Sequence, residues 1–218
     1  MKITSESIAL AYLGVKKFII QNGYDDEIEW QYNIDFYHLD EETFLREYSW
    51  VVLNTGMKEK TIKKIFPSIS SSFLFWQSSQ EIVDCKNNCK NNALGYFNNE
   101  KKINAIIDTA AIISKDGFQS IYTAICNEGI DYLQNLPFIG PITSFHLAKN
   151  IGFSVAKPDR HLVKIMKELN YSSVEALCSE ISELTDDPIP VVDIVLWRYS
   201  TLRNDFIGLC KSKDVRYV

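Results

Sequence analysis

Long apolar runs are missing from this 218-residue chain. No window of about 18 residues is continuously apolar, which is the length a helix needs to cross a bilayer. The first residues also lack the basic and then apolar order of a signal peptide. These absences argue against a membrane protein and predict a cytoplasmic location.

Cysteine is scarce and scattered. The five cysteines form an odd-numbered set in which only Cys85 and Cys89 lie close together. No second Cys or His pair stands near them to complete the four ligands of a zinc site. We therefore expect no bound metal, and a cytoplasmic chain is expected to keep these thiols reduced.

Basic residues do not outnumber acidic ones, because 23 Lys and Arg face 28 Asp and Glu for a net charge of −5. Such a balance argues against indiscriminate nucleic-acid binding, since phosphate contacts need Lys and Arg. The charge is uneven, however: residues 1–50 hold ten acids and four bases, whereas residues 136–170 hold five bases and two acids. The second region is either an ordinary solvated helix face or a local anion-binding surface.

Helical periodicity dominates what is present, and no stretch alternates as a paired strand would. The pattern predicts an all-α fold. The predicted helices span residues 3–22, 42–54, 59–66, 100–114, 118–134, 159–169, 173–184 and 190–200. Two polar stretches are predicted to be loops, namely YDDEIEW at 24–30 and DCKNNCKNN at 84–92.

The stretch LPFIGPITSFHLAKNIGFSVAKPDRHL, residues 136–162, predicts two helices joined by a tight hairpin. Gly140 permits positive φ and close approach of another backbone. Pro141 suits the first turn of a helix, and Gly152 suits a helix end. Amide N–H groups at a helix start have no internal partner, so this hairpin is either a plain connector or a phosphate site.

Asp159 follows Pro158 and precedes the amphipathic run RHLVKIMKEL. Aspartate is a preferred N-cap residue, so Lys157-Pro158-Asp159 reads as a helix start. A carboxylate that accepts backbone N–H bonds is kept ionised and fixed in place. Asp159 is therefore also a candidate for stabilising a developing cation.

The order L-P-x-I-G-P-x-T at 136–143 followed by K-P-D-R-H-L at 157–162 resembles the helix-hairpin-helix DNA glycosylase superfamily. This group includes endonuclease III and the adenine, 8-oxoguanine and alkylbase glycosylases. WVVLNTGMKEKTIKKIFPSI at 50–69 and GYFNNEKKINAII at 95–107 resemble further elements of the same family. The resemblance covers residues 46–170 and is most specific at the hairpin and the aspartate.

The resemblance implies two helical lobes with a DNA-binding cleft between them. Residues 46–150 would form the lobe that holds the hairpin, and residues 1–45 with 151–218 would form the other lobe. The implied partner is double-stranded DNA, and we expect the protein to act as a monomer.

Individual roles also follow from the resemblance. Asp159 would be the catalytic carboxylate, and Thr143 would support the hairpin turn. The residues expected to contact DNA are Phe138, Ile139, Gly140, Ile142, Thr143, Arg160 and His161. The candidates for filling the gap left by a flipped base or for stacking on that base are Asn54, Met57, Trp30 and Trp197, although such aromatic residues are also common in helical cores.

Three departures from the family pattern refine these expectations. Ile142 stands where bifunctional members carry a lysine, and it has no amine with which to form a Schiff base. Phe138 stands where many relatives have glycine. The last 45 residues hold only Cys178 and Cys210, so no iron–sulfur cluster is expected.

The sequence therefore predicts a monofunctional DNA glycosylase that needs no cofactor, excises a flipped-out base and leaves an abasic site. The chain is rich in Lys and Asn and poor in Arg, a weak sign of an AT-rich gene that keeps two roles open, DNA repair and defence against phage DNA with modified bases. One alternative is a non-catalytic helix-hairpin-helix module that only grips DNA. Another is a helical scaffold that binds no nucleic acid.

Overall fold

The computed structural model describes residues 3–212, and no strand occurs among them. The predicted all-α class is confirmed. The α-helices are α1 (Ser5–Gln21), α2 (Asp25–Asn33), α3 (Glu41–Asn54), α4 (Glu59–Ser72), α5 (Ser79–Asp84), α6 (Lys86–Tyr96), α7 (Glu100–Asp116), α8 (Phe118–Glu128), α9 (Ile130–Gln134), α10 (Pro141–Asn150), α11 (Arg160–Glu168), α12 (Val174–Thr185), α13 (Ile189–Leu202) and α14 (Phe206–Lys211). Across residues 3–212, every helix is too short or too polar to span a bilayer.

Two compact units make up the chain. One comprises residues 35–151 and is called the hairpin unit here; the other comprises the described parts of residues 1–34 and 152–218 and is called the terminal unit. The predicted boundary between residues 45 and 46 is wrong, because α3 runs through it without a break. The boundaries lie after Ile34 and after Ile151, so that the second is one residue from its predicted position.

The terminal unit is built around α1. Thr4 caps this helix, because its Oγ1 accepts the N–H of Ser7 while Ser7 Oγ accepts the N–H of Thr4. One face of α1 is buried against α12 and α13. The buried residues recur at helical spacing and include Ile8, Tyr12, Val15 and Ile19.

Asp187, which precedes α13, ties three helices of the terminal unit together. Its carboxylate accepts hydrogen bonds from the Tyr12 hydroxyl at 2.6 Å, from Lys16 Nζ at 2.7 Å and from the Tyr32 hydroxyl. Burial by itself raises the pKa of this carboxyl, but the bonds from Lys16, Tyr12 and Tyr32 bring the pKa below its usual value. Asp187 therefore stays ionised inside the unit.

The acidic stretch at 24–30 is not a loop, and that prediction is wrong. It forms the start of α2, whose first turn carries Asp25, Asp26 and Glu27. Negative charge at a helix N-terminus is favourable, which supports the helix locally. Glu27 also accepts two hydrogen bonds from the Arg198 guanidinium, at 2.6 and 2.8 Å. A residue far along the chain therefore helps to stabilise α2.

The hairpin unit is organised by α3. Asp40 caps this helix by accepting the N–H of Thr43 at 2.8 Å. α3 contacts α4, α7 and α10. Its buried residues include Phe44, Leu45, Tyr48, Val51 and Val52.

The predicted loop at 84–92 is also helical. Cys85 is the N-cap of α6, and Cys89 and Ala93 form its buried face. These two small side chains lie one turn apart and allow α6 to pack against α4 and α7. The many Asn and Lys side chains of the run are accommodated on the remaining faces.

The predicted helix 118–134 is divided. α8 ends at Glu128 and α9 begins at Ile130, with Gly129 between them at φ 58° and ψ −129°. Only glycine adopts this combination readily, so the residue breaks the helix despite the continuous apolar pattern.

Candidate active site

The hairpin at 136–141 turns at Phe138 and not at Gly140. Phe138 has φ 64°, whereas Gly140 has φ −113° and ψ −175°, which is extended backbone. The expectation that Gly140 supplies positive φ is therefore wrong. The left-handed residue is the one that stands where many members of the resembled family have glycine.

One neighbouring helix and one internal hydrogen bond hold the hairpin. The Tyr48 hydroxyl of α3 bonds to the Pro137 carbonyl at 2.5 Å. Ile139 points inward with 6% of its surface exposed, and its N–H donates to the Leu136 carbonyl at 3.1 Å. The side chain of Ile139 is thus buried, and its backbone N–H already has an acceptor within the hairpin.

The start of α10 leaves two backbone amides open. Thr143 Oγ1 accepts the Gly140 N–H at 2.7 Å and donates to the Gly140 carbonyl at 3.1 Å, so Thr143 does brace the turn. Pro141 has no N–H. The amides of Ile142 and Thr143 therefore remain as first-turn donors without an intrahelical acceptor. The exposed Phe138 and Ile142 side chains flank this end of the helix.

Lys102 brings the loop at 54–57 next to the hairpin. Its Nζ donates to the carbonyl oxygens of Leu53 at 2.7 Å, in the last turn of α3, and of Thr55 at 2.6 Å, the residue that follows this helix. The same Nζ lies 5.8 Å from the centroid of the Phe138 ring. Burial lowers the pKa of the Lys102 ammonium to about 8.

The loop at 54–57 carries the two candidates for filling the gap left by a flipped base, one polar and one apolar. Asn54 is half-buried, and its side-chain amide donates to the Trp50 carbonyl at 3.1 Å, whereas the Met57 side chain is exposed. Gly56 lies between them with φ 70°. Met57 is thus presented to solvent by a turn whose base is fixed by Lys102.

Asp159 is the N-cap of α11, as predicted from the sequence. Its Oδ1 accepts the N–H groups of His161 at 2.8 Å and Leu162 at 3.1 Å. Both of these hydrogen bonds end on Oδ1, and none to Oδ2 occurs among residues 3–212. One carboxylate oxygen therefore fixes the group while the other is left for a ligand.

Two carboxylates of the terminal unit position the irregular segment that leads to Asp159. Asp193 Oδ2 accepts the Lys157 N–H at 2.6 Å, and Glu175 Oε2 accepts the Ala156 N–H at 2.9 Å. Asp193 is only 2% exposed. The backbone before Pro158 is thus anchored to α13 and α12.

The residues after Asp159 supply positive charge and a histidine. Arg160 is exposed, and its Nε lies 3.3 Å from Nε2 of the half-buried His161. Lys164 is exposed on the same helix. Lys149, counted with the basic region of the sequence, is instead 4% exposed within α10.

The two candidate stacking tryptophans have different surroundings. Trp30 of α2 is exposed. Trp197 of α13 is half-buried, and the Arg198 guanidinium lies 4.7 Å from its ring centroid. One face of Trp197 is thus already covered by a cation.

The structure groups the predicted residues within each unit. In the hairpin unit, Lys102 brings the 54–57 loop to Phe138; in the terminal unit, Asp159 heads a helix that also carries Arg160 and His161. Sequence reasoning missed Tyr48, Lys102 and Asp193. The only available signal was their polar character within otherwise apolar stripes.

No protein-family model matches the sequence, and no curated protein is similar to it. A solved structure is similar in fold: the crystal structure of Methanocaldococcus jannaschii 8-oxoguanine glycosylase/lyase in complex with a 15-mer DNA containing 8-oxoguanine. The TM-score is 0.56 at 19% sequence identity, over 87% of this chain and 96% of that chain. This likeness establishes the fold.

Proposed function

We propose that this chain, which has the fold of a helix-hairpin-helix DNA glycosylase, hydrolyses the N-glycosidic bond of a damaged or modified base in double-stranded DNA. The observation that carries the proposal is the hydrogen bonding of the two Asp159 carboxylate oxygens. One oxygen is fixed by two backbone N–H groups at a helix start, and the other accepts no hydrogen bond among residues 3–212. A carboxylate held in this way is preorganised to stabilise positive charge.

The reaction assigns a task to each oxygen of Asp159. As the bond between C1′ and the base nitrogen breaks, the base leaves with the bonding electrons and the sugar becomes oxocarbenium-like. Oδ2 faces this positive charge and accepts a proton from the attacking water, while Oδ1 keeps the carboxylate in place. The new C1′–O bond gives an abasic sugar, and the proton that Oδ2 took from water passes through solvent to the departing base, which restores the carboxylate.

The hairpin unit supplies DNA binding in this proposal. The open amides of Ile142 and Thr143, at the positive end of the α10 dipole, suit a phosphate oxygen. The target base must leave the stack, which costs a few kcal/mol. Exposed Met57, with Asn54 beside it, is proposed to fill the gap.

We propose that the reaction ends at the abasic site. Ile142 is 52% exposed at the hairpin and carries no amine. Lys102, the lysine next to the hairpin, is buried and donates to two carbonyl oxygens. Ile142 therefore cannot form a Schiff base with the sugar, and Lys102 would first have to give up both of these hydrogen bonds.

The proposed substrates are alkylated purines and bulky modified pyrimidines, ahead of uracil. Exposed Trp30 and partly covered Trp197 offer stacking surfaces, which tolerate large bases. Uracil is small and is selected by tight hydrogen-bonded pockets. Such substrates are compatible with DNA repair and with defence against phage DNA that carries modified bases.

The test is a panel of duplexes that contain alkylated, oxidised, deaminated, mismatched or hypermodified bases, with 8-oxoguanine among them. Each duplex is incubated with the protein, and abasic sites are counted with an aldehyde-reactive probe. Borohydride is added in parallel. We expect free base and an intact abasic strand from at least one bulky or alkylated substrate.

Three outcomes would contradict parts of the proposal. A borohydride-trapped protein–DNA adduct would show lyase chemistry. Efficient release of uracil alone would overturn the substrate order. Tight, salt-dependent DNA binding without release of any base would favour the non-catalytic binding module.

A further inference from the structure

Helix α1 is apolar on two sides. One face is buried in the core of the terminal unit. The opposite face exposes Leu10 by 56%, Leu13 by 45% and Ile20 by 44%. These are large exposed fractions for leucine and isoleucine side chains within a regular helix.

The exposed positions follow the spacing of a two-helix seam. Glu6, Leu10, Leu13, Lys17 and Ile20 are all exposed, and they are separated alternately by four and three residues. A repeat of this kind keeps one stripe facing a partner helix. The spacing of the stripe thus matches that of a surface which packs against a second helix.

We propose that this stripe pairs with the same stripe of a second copy of the chain, with the two α1 helices antiparallel. A two-fold axis between Leu10 and Leu13 places Leu10 of each copy opposite Leu13 of the other. The same axis places Glu6 opposite Lys17 and brings Ile20 to the start of the partner helix, before which Ile3 is packed against the core of its own unit. Each leucine of the stripe then meets a leucine, and each charge meets its opposite.

This match is self-complementary, and therefore it points to a second copy rather than to an unrelated protein. A two-fold interface requires that one patch fit itself. The parallel arrangement is disfavoured, because it would place Glu6 against Glu6 and Lys17 against Lys17. The inference replaces the monomer expected from the sequence and does not depend on the proposed enzymatic activity.

One helix of 17 residues makes a small seam. Stable dimers usually bury more surface than such a pair offers, so we expect weak association with a Kd on the order of tens of micromolar. The first measurement is sedimentation velocity of the full chain from about 1 µM to about 1 mM. The mass should rise with concentration from 25.1 kDa toward twice that value.

Variants then test the pairing itself. Leu10→Glu should abolish the rise in mass, whereas Leu202→Glu, at a similarly exposed leucine of α13, should leave it unchanged. Glu6→Lys and Lys17→Glu should each weaken association by about tenfold, because like charges then face each other. The double variant Glu6→Lys/Lys17→Glu should restore it, and all these positions are exposed, so folding should be retained.

Cross-linking tests the orientation in a background with exposed Cys85 and Cys126 changed to serine. A mixture of Leu10→Cys chains and Leu13→Cys chains should form disulfide-linked dimers. Either population alone should form few. A constant 25.1 kDa mass over the whole range, association unaffected by Leu10→Glu, or equal cross-linking of one population alone would overturn the proposal.

Discussion

At the residue scale, Phe138 stores backbone strain at the hairpin. A bulky L-residue at φ 64° costs about 1–2 kcal/mol relative to ordinary backbone, and glycine escapes this cost. The ring is partly exposed, but it also lies over Lys102. The contact with Lys102, the lysine that holds the 54–57 loop, therefore offsets part of this strain.

We predict that Phe138→Gly is more stable than Phe138→Ala by about 1 kcal/mol. Both changes remove the ring, but only glycine relieves the strain of the left-handed conformation. Urea unfolding of both variants measures the difference. Equal stability, or alanine above glycine, would show that the turn adopts another conformation in solution.

Lys102 gives a second prediction at this scale, for the pH dependence of folding. Its folded pKa of about 8 lies below the unfolded value near 10.4. Between these values the unfolded chain binds more protons than the folded chain, so this group makes the free energy of unfolding rise with pH. Lys102→Met should remove that rise between about pH 8 and pH 9.5, as measured by urea unfolding at each pH. An unchanged dependence of the free energy of unfolding on pH in Lys102→Met would contradict the claim that burial lowers the pKa of Lys102.

At the element scale, α13 positions Asp159 through the backbone that precedes it. Asp193 of α13 accepts the Lys157 N–H two residues before the catalytic candidate. A small displacement of a catalytic group has large effects on rate, since about 1 Å can cost about a hundredfold. Asp193 is therefore assigned as a positioning residue.

We predict that Asp193→Ala lowers kcat by at least about tenfold and leaves DNA affinity nearly unchanged. Asp193→Asn keeps an acceptor for the Lys157 N–H and should retain most of the activity. Single-turnover excision and DNA-binding titrations separate these two quantities. Equal loss of binding and rate, or no rescue by asparagine, would indicate a general loss of structure instead.

At the scale of the whole molecule, the sequence predicts those parts that depend on local pattern. The amphipathic stripe of α1 and the Pro158-Asp159 helix start were identified because capping and periodicity are local. α2 was missed because its Glu27 is paired with Arg198, far along the chain. Lys102 and Asp193 were missed for the same reason, since their partners lie 49 and 36 residues away.

The central claim is that the charge of Asp159 stabilises the transition state of base release. Asp159→Asn tests it most directly, because asparagine caps a helix nearly as well as aspartate but carries no charge. The measurement is the single-turnover excision rate on the best substrate of the panel, with thermal unfolding of both proteins as the control. We predict a rate loss of about 10²- to 10³-fold at unchanged thermal stability. A well-folded Asp159→Asn protein with a rate near that of the wild type would contradict the account.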